Sequence, residues 1–173
     1  MHEAGSQVPA TGELQLPDGT SVVSRHQQRL IDEIPWSLQT SFYPMSLVDR
    51  GATRLIQAGD IEEGTVAYLR KLGIKQVGYR DTITVRAPDK VEATFFKLPD
   101  DGRISIIETR RTAFDEQGTP IRLTVSVYPA DRNQFAVNVG EVPAVVVDPP
   151  SAESSKPGAR SGKSGDDKPG RST

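Results

Sequence analysis

Residues 35–44 read PWSLQTSFYP and residues 120–129 read PIRLTVSVYP. Laid on each other without a gap, the two stretches pair Pro35 with Pro120, Leu38 with Leu123, Ser41 with Ser126, Tyr43 with Tyr128 and Pro44 with Pro129, at a constant offset of 85 residues. Their contexts also match. Arg29 and Asp32-Glu33 precede the first copy, and Arg111 and Asp115-Glu116 precede the second. Side chains alternate across a strand with period two, so Trp36, Leu38, Thr40 and Phe42 share one face while Ser37, Gln39, Ser41 and Tyr43 share the other. One face is expected to pack on a core and the other to be polar with an aromatic tip. Pro35 stands at the strand's start, where a missing N–H is tolerated. Chance convergence is the plain alternative, because hairpin strands draw on a small alphabet. Internal duplication accounts better for five identities in ten positions within a matching context. It implies a pseudo-two-fold pair of hairpins in one sheet, with a cleft between the halves as a natural ligand site.

Working outward, TSVVSRHQQRLI (20–31) alternates as a strand does and leads through Asp32-Glu33 into the first copy, making a β-hairpin. The segment 45–59 is irregular or loosely helical. IEEGTVAYLRKLG (61–73) reads as a helix, with Glu62 and Glu63 in its first turn, Val66, Leu69 and Leu72 on one stripe, Arg70 and Lys71 in the last turn and Gly73 as its C-cap. Residues 74–87 read as a long strand. PDKVEATFFKL (88–98) is a short amphipathic helix with Val91, Phe95 and Leu98 at helical spacing. Residues 103–132 form a second hairpin around DEQGTP, and QFAVNVG (134–140) is expected to be a last strand. Hairpin, helix, strand, helix, hairpin, strand is the order of an α+β fold with a mostly antiparallel sheet. Residues 1–18 read as a flexible lead-in, 19–142 as the folded domain and 143–173, rich in Ser, Gly, Pro and Lys, as a disordered tail that buries too little surface to offset its ordering entropy.

Composition narrows the function classes. The chain has 173 residues, no cysteine, two histidines and a formal net charge of −2. Disulfides, thiolate metal sites and cysteine nucleophiles are excluded, and Ser-His-Asp catalysis or a zinc site has almost no raw material. His26 reads as an ordinary strand residue. The scattered basic residues form no cationic face for a phosphate backbone. With no apolar run of membrane length and no leader pattern, the expectation is a cytoplasmic protein without metal or cofactor.

The run from SVVSRHQQRLIDEIPWSLQTSFYP through ATFFKLPDDGRISIIETRRTAFDEQGTP to VYPADRNQF resembles the UTRA domain over residues 19–140. That is the effector-binding domain of the HutC-type branch of GntR transcription regulators, with a fold similar to chorismate lyase. The resemblance implies a small-metabolite partner and a homodimer. It also implies that DNA contact belongs to a winged helix-turn-helix, for which residues 1–18 are too short, so a separate DNA-binding partner or a longer regulator is expected.

In sugar-phosphate-sensing relatives two arginines, two apart on the first strand, grip the phosphate, and a glutamate ten residues on binds the ligand's polar end. The matching positions here are Gln27, Arg29 and Gln39, of which only Arg29 keeps the charge. One guanidinium clamps a carboxylate bidentately, and two glutamines favour a neutral or singly anionic ligand. Thr65 matches a serine that contacts the anion in those relatives. Arg111, Ser126 and Tyr128 are the pseudo-symmetric candidates for the same cleft. Each has a plain structural reading beside it: Arg29 paired with Asp32 or Glu33, Gln27 and Gln39 facing solvent, Thr65 as a helical residue, and the other three in core or sheet-edge roles. Two rival functions stand beside effector binding. One is chorismate lyase-like catalysis, for which Glu108 and Asp81 are the available carboxylates. The other is a dimerisation module that binds nothing, pairing through an exposed strand such as QFAVNVG.

Overall fold

The computed structural model describes residues 10–99 and 101–139. The chain divides into two compact units, Met1–Phe135 and Ala136–Thr173. The first holds a five-stranded antiparallel sheet: β1 (Val22–Ile31), β2 (Ile34–Pro44), β3 (Gly78–Arg86), β4 (Ile106–Phe114) and β5 (Pro120–Pro129), in the order β1-β2-β5-β4-β3. Four short α-helices, α1 (Ala10–Glu13), α2 (Ser46–Asp49), α3 (Thr65–Lys71) and α4 (Lys90–Phe96), and a 3-10 turn at Thr53–Ile56 complete it.

The two copies of the repeated strand, β2 and β5, lie side by side at the centre. Their register pairs Thr40 with Val125, Leu38 with Val127 and Phe42 with Leu123. Thr40 and Val125 are also equivalent under the 85-residue offset, so a local two-fold passes through this pair. A second feature repeats. Arg29 faces Ser37 and Leu30 faces Pro35, leaving Trp36 as an extra residue; Ala113 faces Arg122 and Phe114 faces Pro120, leaving Ile121 extra. The two bulges fall at matching positions of the two copies.

The turns differ. Asp32 and Glu33 both have positive φ, 48° and 63°, the two-residue geometry whose twist matches that of a hairpin. In the second hairpin Asp115 Oδ1 accepts from the N–H groups of Gln117 and Thr119, at 3.0 and 2.9 Å, and Gly118 takes φ 75°. This longer turn displaces the sequence match on the outer strands. By register the counterpart of Arg29 is Ala113, and Arg111, which faces Thr124, corresponds to Gln27, which faces Gln39.

Both faces of the sheet carry a core, where the alternation pattern assigned a core to one. Tyr43 packs with Leu47, Leu55, Leu69, Ile74 and Ile121 beneath the segment running from α2 to α3. On the opposite face Leu38 and Val127 pack with Phe96, Leu98 and Ile106. Beside that second core Arg86 donates to Glu92 and Glu108, both nearly fully buried, and Glu92 closes a capping box with Asp89 at the start of α4. The bond to Glu92, ahead of that to Glu108, drives the Arg86 guanidinium further toward its charged form.

Four local expectations change. The lead-in contributes α1, whose Glu13 accepts from Arg110 and Thr112, and Leu14, which is buried. The helix read over 61–73 is Thr65–Lys71, entered through Gly64 at φ 79°, so Glu62 and Glu63 precede it. Val91 points away from the core at 72% exposed, because Phe96 rather than Val91 carries the contact of α4 with the sheet. No strand forms over 134–139. The tail expected at 143–173 lies outside the described residues.

Phe96→Ala should lower unfolding free energy by about 3–5 kcal/mol through cavity formation, whereas Val91→Ala should change it by less than about 0.5 kcal/mol. Urea unfolding followed by circular dichroism measures both; equal losses would contradict the orientation of α4.

Candidate functional site

On the face that carries Tyr43, moving along β2 from the core reaches Ser41 and then Gln39. The register places Arg25, Gln27 and Arg29 of β1 on this face, with Arg122, Thr124, Ser126 and Tyr128 of β5 and Thr109 and Arg111 of β4. The strip beyond the apolar core is thus polar on four strands at once. His26 points to the other face and bonds Thr40 Oγ1 through Nδ1 at 2.9 Å.

Two recesses open on the strip. The larger, about 830 Å³, lies between the first hairpin and α3 and is bordered by Gln27, Arg29, Gln39, Thr65 and Arg122. The smaller, about 330 Å³, lies over the seam between β2 and β5 and is bordered by Arg29, Gln39, Arg111, Arg122, Ser126 and Tyr128. All seven residues singled out from the sequence border one or both. The seam recess lies between the pseudo-symmetric halves; the larger one belongs to the first half and its helix.

Arg29 is exposed and forms no ion pair with Asp32, Glu33 or any other described residue. Gln39 Nε2 donates to Gln27 Oε1 at 3.3 Å, and Gln27 Nε2 donates to Asp60 Oδ1 at 3.4 Å, so the two amides form one chain across the floor. Ser126 is buried opposite Gln39. Tyr128 meets the Phe135 ring edge-on, with centroids 5.2 Å apart. Arg111 is already engaged: Nε and Nη2 each donate to Asp81 at 2.7 Å, and the guanidinium lies 3.8 Å from the Tyr79 ring centroid. Hydrogen bonding to Asp81 raises the Arg111 pKa, and the pair leaves little net charge for a ligand.

Sequence reasoning missed Arg25 and Arg122. Arg25 Nη1 donates to the carbonyls of Arg54, Leu55 and Gln57, and Nη2 to that of Gly59, which pins the chain after the 3-10 turn over β1. Arg25 sits two residues before Gln27, and strand parity is the signal that could have found it. Arg122 occupies the extended series Arg122, Thr124, Ser126, Tyr128; its Nη2 donates to Gln76 Oε1 at 2.9 Å. At the wall of the larger recess, which Asp60, Glu62 and Glu63 also border, Arg54 and Lys71 both reach Glu63. A bond to its own backbone, reinforced by these two cations, lowers the Glu63 carboxyl to about 2.

These features define an α+β sheet domain with a polar depression on one face. The UTRA domain family matches residues 7–134, and the chain belongs to that family. Among solved structures it is similar to the C-terminal domain of Yurk from Bacillus subtilis, at 20% identity, covering 77% of this chain and 88% of that one with a TM-score of 0.64. It is also similar to the effector domain of PhnF from Mycobacterium smegmatis, at 24% identity, 79% and 80% coverage and a TM-score of 0.64. A GntR-family transcriptional regulator from Enterococcus faecalis matches at 23% identity, 79% and 94% coverage and a TM-score of 0.63. No curated protein matches the chain.

The Glu63 carboxyl should titrate with a midpoint near 2 rather than the usual 4.5, and Arg54→Ala should move it upward. Because the folded-state value is depressed, the stabilisation from this clasp is present above the ordinary carboxylate range and lost as pH falls toward 2. Side-chain carboxyl NMR titration tests this; a midpoint unchanged in Arg54→Ala would contradict the ion pair.

Proposed function

We propose that this chain is the effector-binding domain of a GntR-type transcription regulator and takes a small polar, anionic metabolite on the strip between the first hairpin, α3 and β5. The carrying observation is the convergence of Arg29, Gln27, Gln39, Thr65, Arg111, Ser126 and Tyr128 around two recesses that share Arg29 and Gln39. Arg29 supplies an uncommitted guanidinium, suited to a bidentate carboxylate. The glutamines and Ser126 supply neutral donors and acceptors that orient the rest of the ligand. Arg111 acts through its pair with Asp81, fixing the recess wall rather than offering a free charge.

Receptor rather than lyase is the reading supported by the two carboxylates that the sequence offered for catalysis. Glu108 is joined to Arg86 and Arg110, and Asp81 to Arg111, so neither stands open to a substrate as an acid. Among the described residues the longest helices, α3 and α4, have seven residues each and neither forms a recognition helix with its support. DNA contact in the working regulator therefore falls to another segment or partner. No helix among them is long and apolar enough to cross a membrane. A homodimer in the cytoplasm completes the proposal.

A thermal-shift screen of metabolites should yield a compound that raises the melting temperature, because a ligand selective for the native state stabilises it by mass action. Arg29→Ala should abolish that rise while leaving the unliganded unfolding free energy within about 0.5 kcal/mol of the parent. No shift with any metabolite would favour the module that binds nothing, and pyruvate release from chorismate would favour the enzyme.

A further inference from the structure

The cations around the two recesses can be sorted by what they hold. Arg25 is spent on four backbone carbonyls and Arg111 on Asp81, Arg54 and Lys71 beside the larger recess are spent on Glu63, and Arg70, exposed on α3, borders the larger recess alone. Two guanidiniums that border both recesses hold no carboxylate. They are Arg29 and Arg122. Arg122 is the more constrained. Its one side-chain partner is the neutral Gln76 amide, and its Nε is buried with no hydrogen-bond partner. A buried donor left unpaired is uncommon in a folded protein, and it marks Arg122 as a side chain whose hydrogen-bonding capacity the chain alone does not fill.

We infer that Arg122 is a second anionic anchor of the site, so that the effector is a small acid carrying two separated carboxylates, one held at Arg29 and the other at Arg122. This rests on the strip being the effector site. Reading from Arg29 alone pointed to a singly anionic ligand; a second uncommitted guanidinium changes the count. Gln39, Thr124 and Ser126 border the seam recess along with the two arginines and carry hydrogen-bonding groups without charge. They suit the middle of such a ligand. Gln76 accepts from Nη2, and Nη1, which has no partner among the described residues and is not buried, is the prong left open to an oxygen.

The experiment titrates malonate, succinate, glutarate and adipate into the whole chain by calorimetry, each beside the monocarboxylate of the same length. At least one dicarboxylate should bind about tenfold or more tightly than its monocarboxylate. Arg122→Gln should remove that advantage, weakening the dicarboxylate by about thirtyfold, as expected when one partner of a desolvated charge pair is truncated, and Arg122→Lys should restore part of it. The unliganded melting temperature of Arg122→Gln should equal or exceed that of the parent, a result that a purely structural arginine would not give. If none of the dicarboxylates binds better than its monocarboxylate, or if Arg122→Gln leaves the advantage intact, the second anchor is overturned. Should Arg122→Gln fail to fold, the parent's dicarboxylate preference and the Arg122→Lys titration decide. A metabolite whose binding depends on Arg29 but not on Arg122 would overturn this inference alone and leave the proposed function standing.

Discussion

The pairing of β2 with β5 at the centre of the sheet is the constraint on which the rest depends. Thr40 opposite Val125 sets the register, and every side chain on the two strands is assigned to a face from that point. A slip of one residue would exchange Leu38 and Val127 for Gln39 and Ser126, placing an amide and a hydroxyl against Phe96 and leucine in the recess. The duplicated sequence makes the seam self-consistent, because each copy meets the other at its own equivalent residue. The shared bulge at Trp36 and Ile121 then re-aims the start of each strand in the same way.

From that seam the two faces diverge. One is closed by α4 and by the buried Glu92 and Glu108, whose desolvated charges are tolerated only because the half-buried Arg86 pairs with both. The other is closed over half its length by the segment from α2 to α3. Arg25 fixes the edge of that cover with backbone hydrogen bonds, and beyond it the strip stays polar. A ligand face arises where the cover stops, so the position of Arg25 shapes the recess without its charge being available to an anion.

Much of the site was legible through the family resemblance, which singled out Gln27, Arg29, Gln39 and Thr65, and through the repeat, which added Arg111, Ser126 and Tyr128. Strand parity is local and accounts for Gln27 sharing a face with Arg29, and Ser126 with Tyr128. The register of β1 on β2 then brings Gln39 opposite Gln27. Arg122 obeys the same parity yet was passed over, since nothing local distinguishes an arginine with an orphaned Nε from one facing solvent. Arg111 was singled out as a pseudo-symmetric counterpart in the repeat, but its commitment to Asp81 crosses to β3 and is decided by the β3–β4 register. Leu14 and Glu13 were passed over for the same kind of reason. Their partners lie about a hundred positions away, and a short polar segment shows no period that would reveal docking.

By itself the sequence determined the α+β class, the two hairpins, the presence of a short helix within 61–73 and another within 88–98, and the internal repeat that relates β2 to β5, because turn chemistry, periodicity and internal identity are all properties of neighbouring residues. The tertiary structure decided which strands are neighbours, that both faces of β2 are buried, where the cover over the polar strip ends, and which arginines remain uncommitted once ion pairs form. Those are outcomes of competition among distant groups for the same partners, and a charge's availability exists only after that competition is settled in three dimensions.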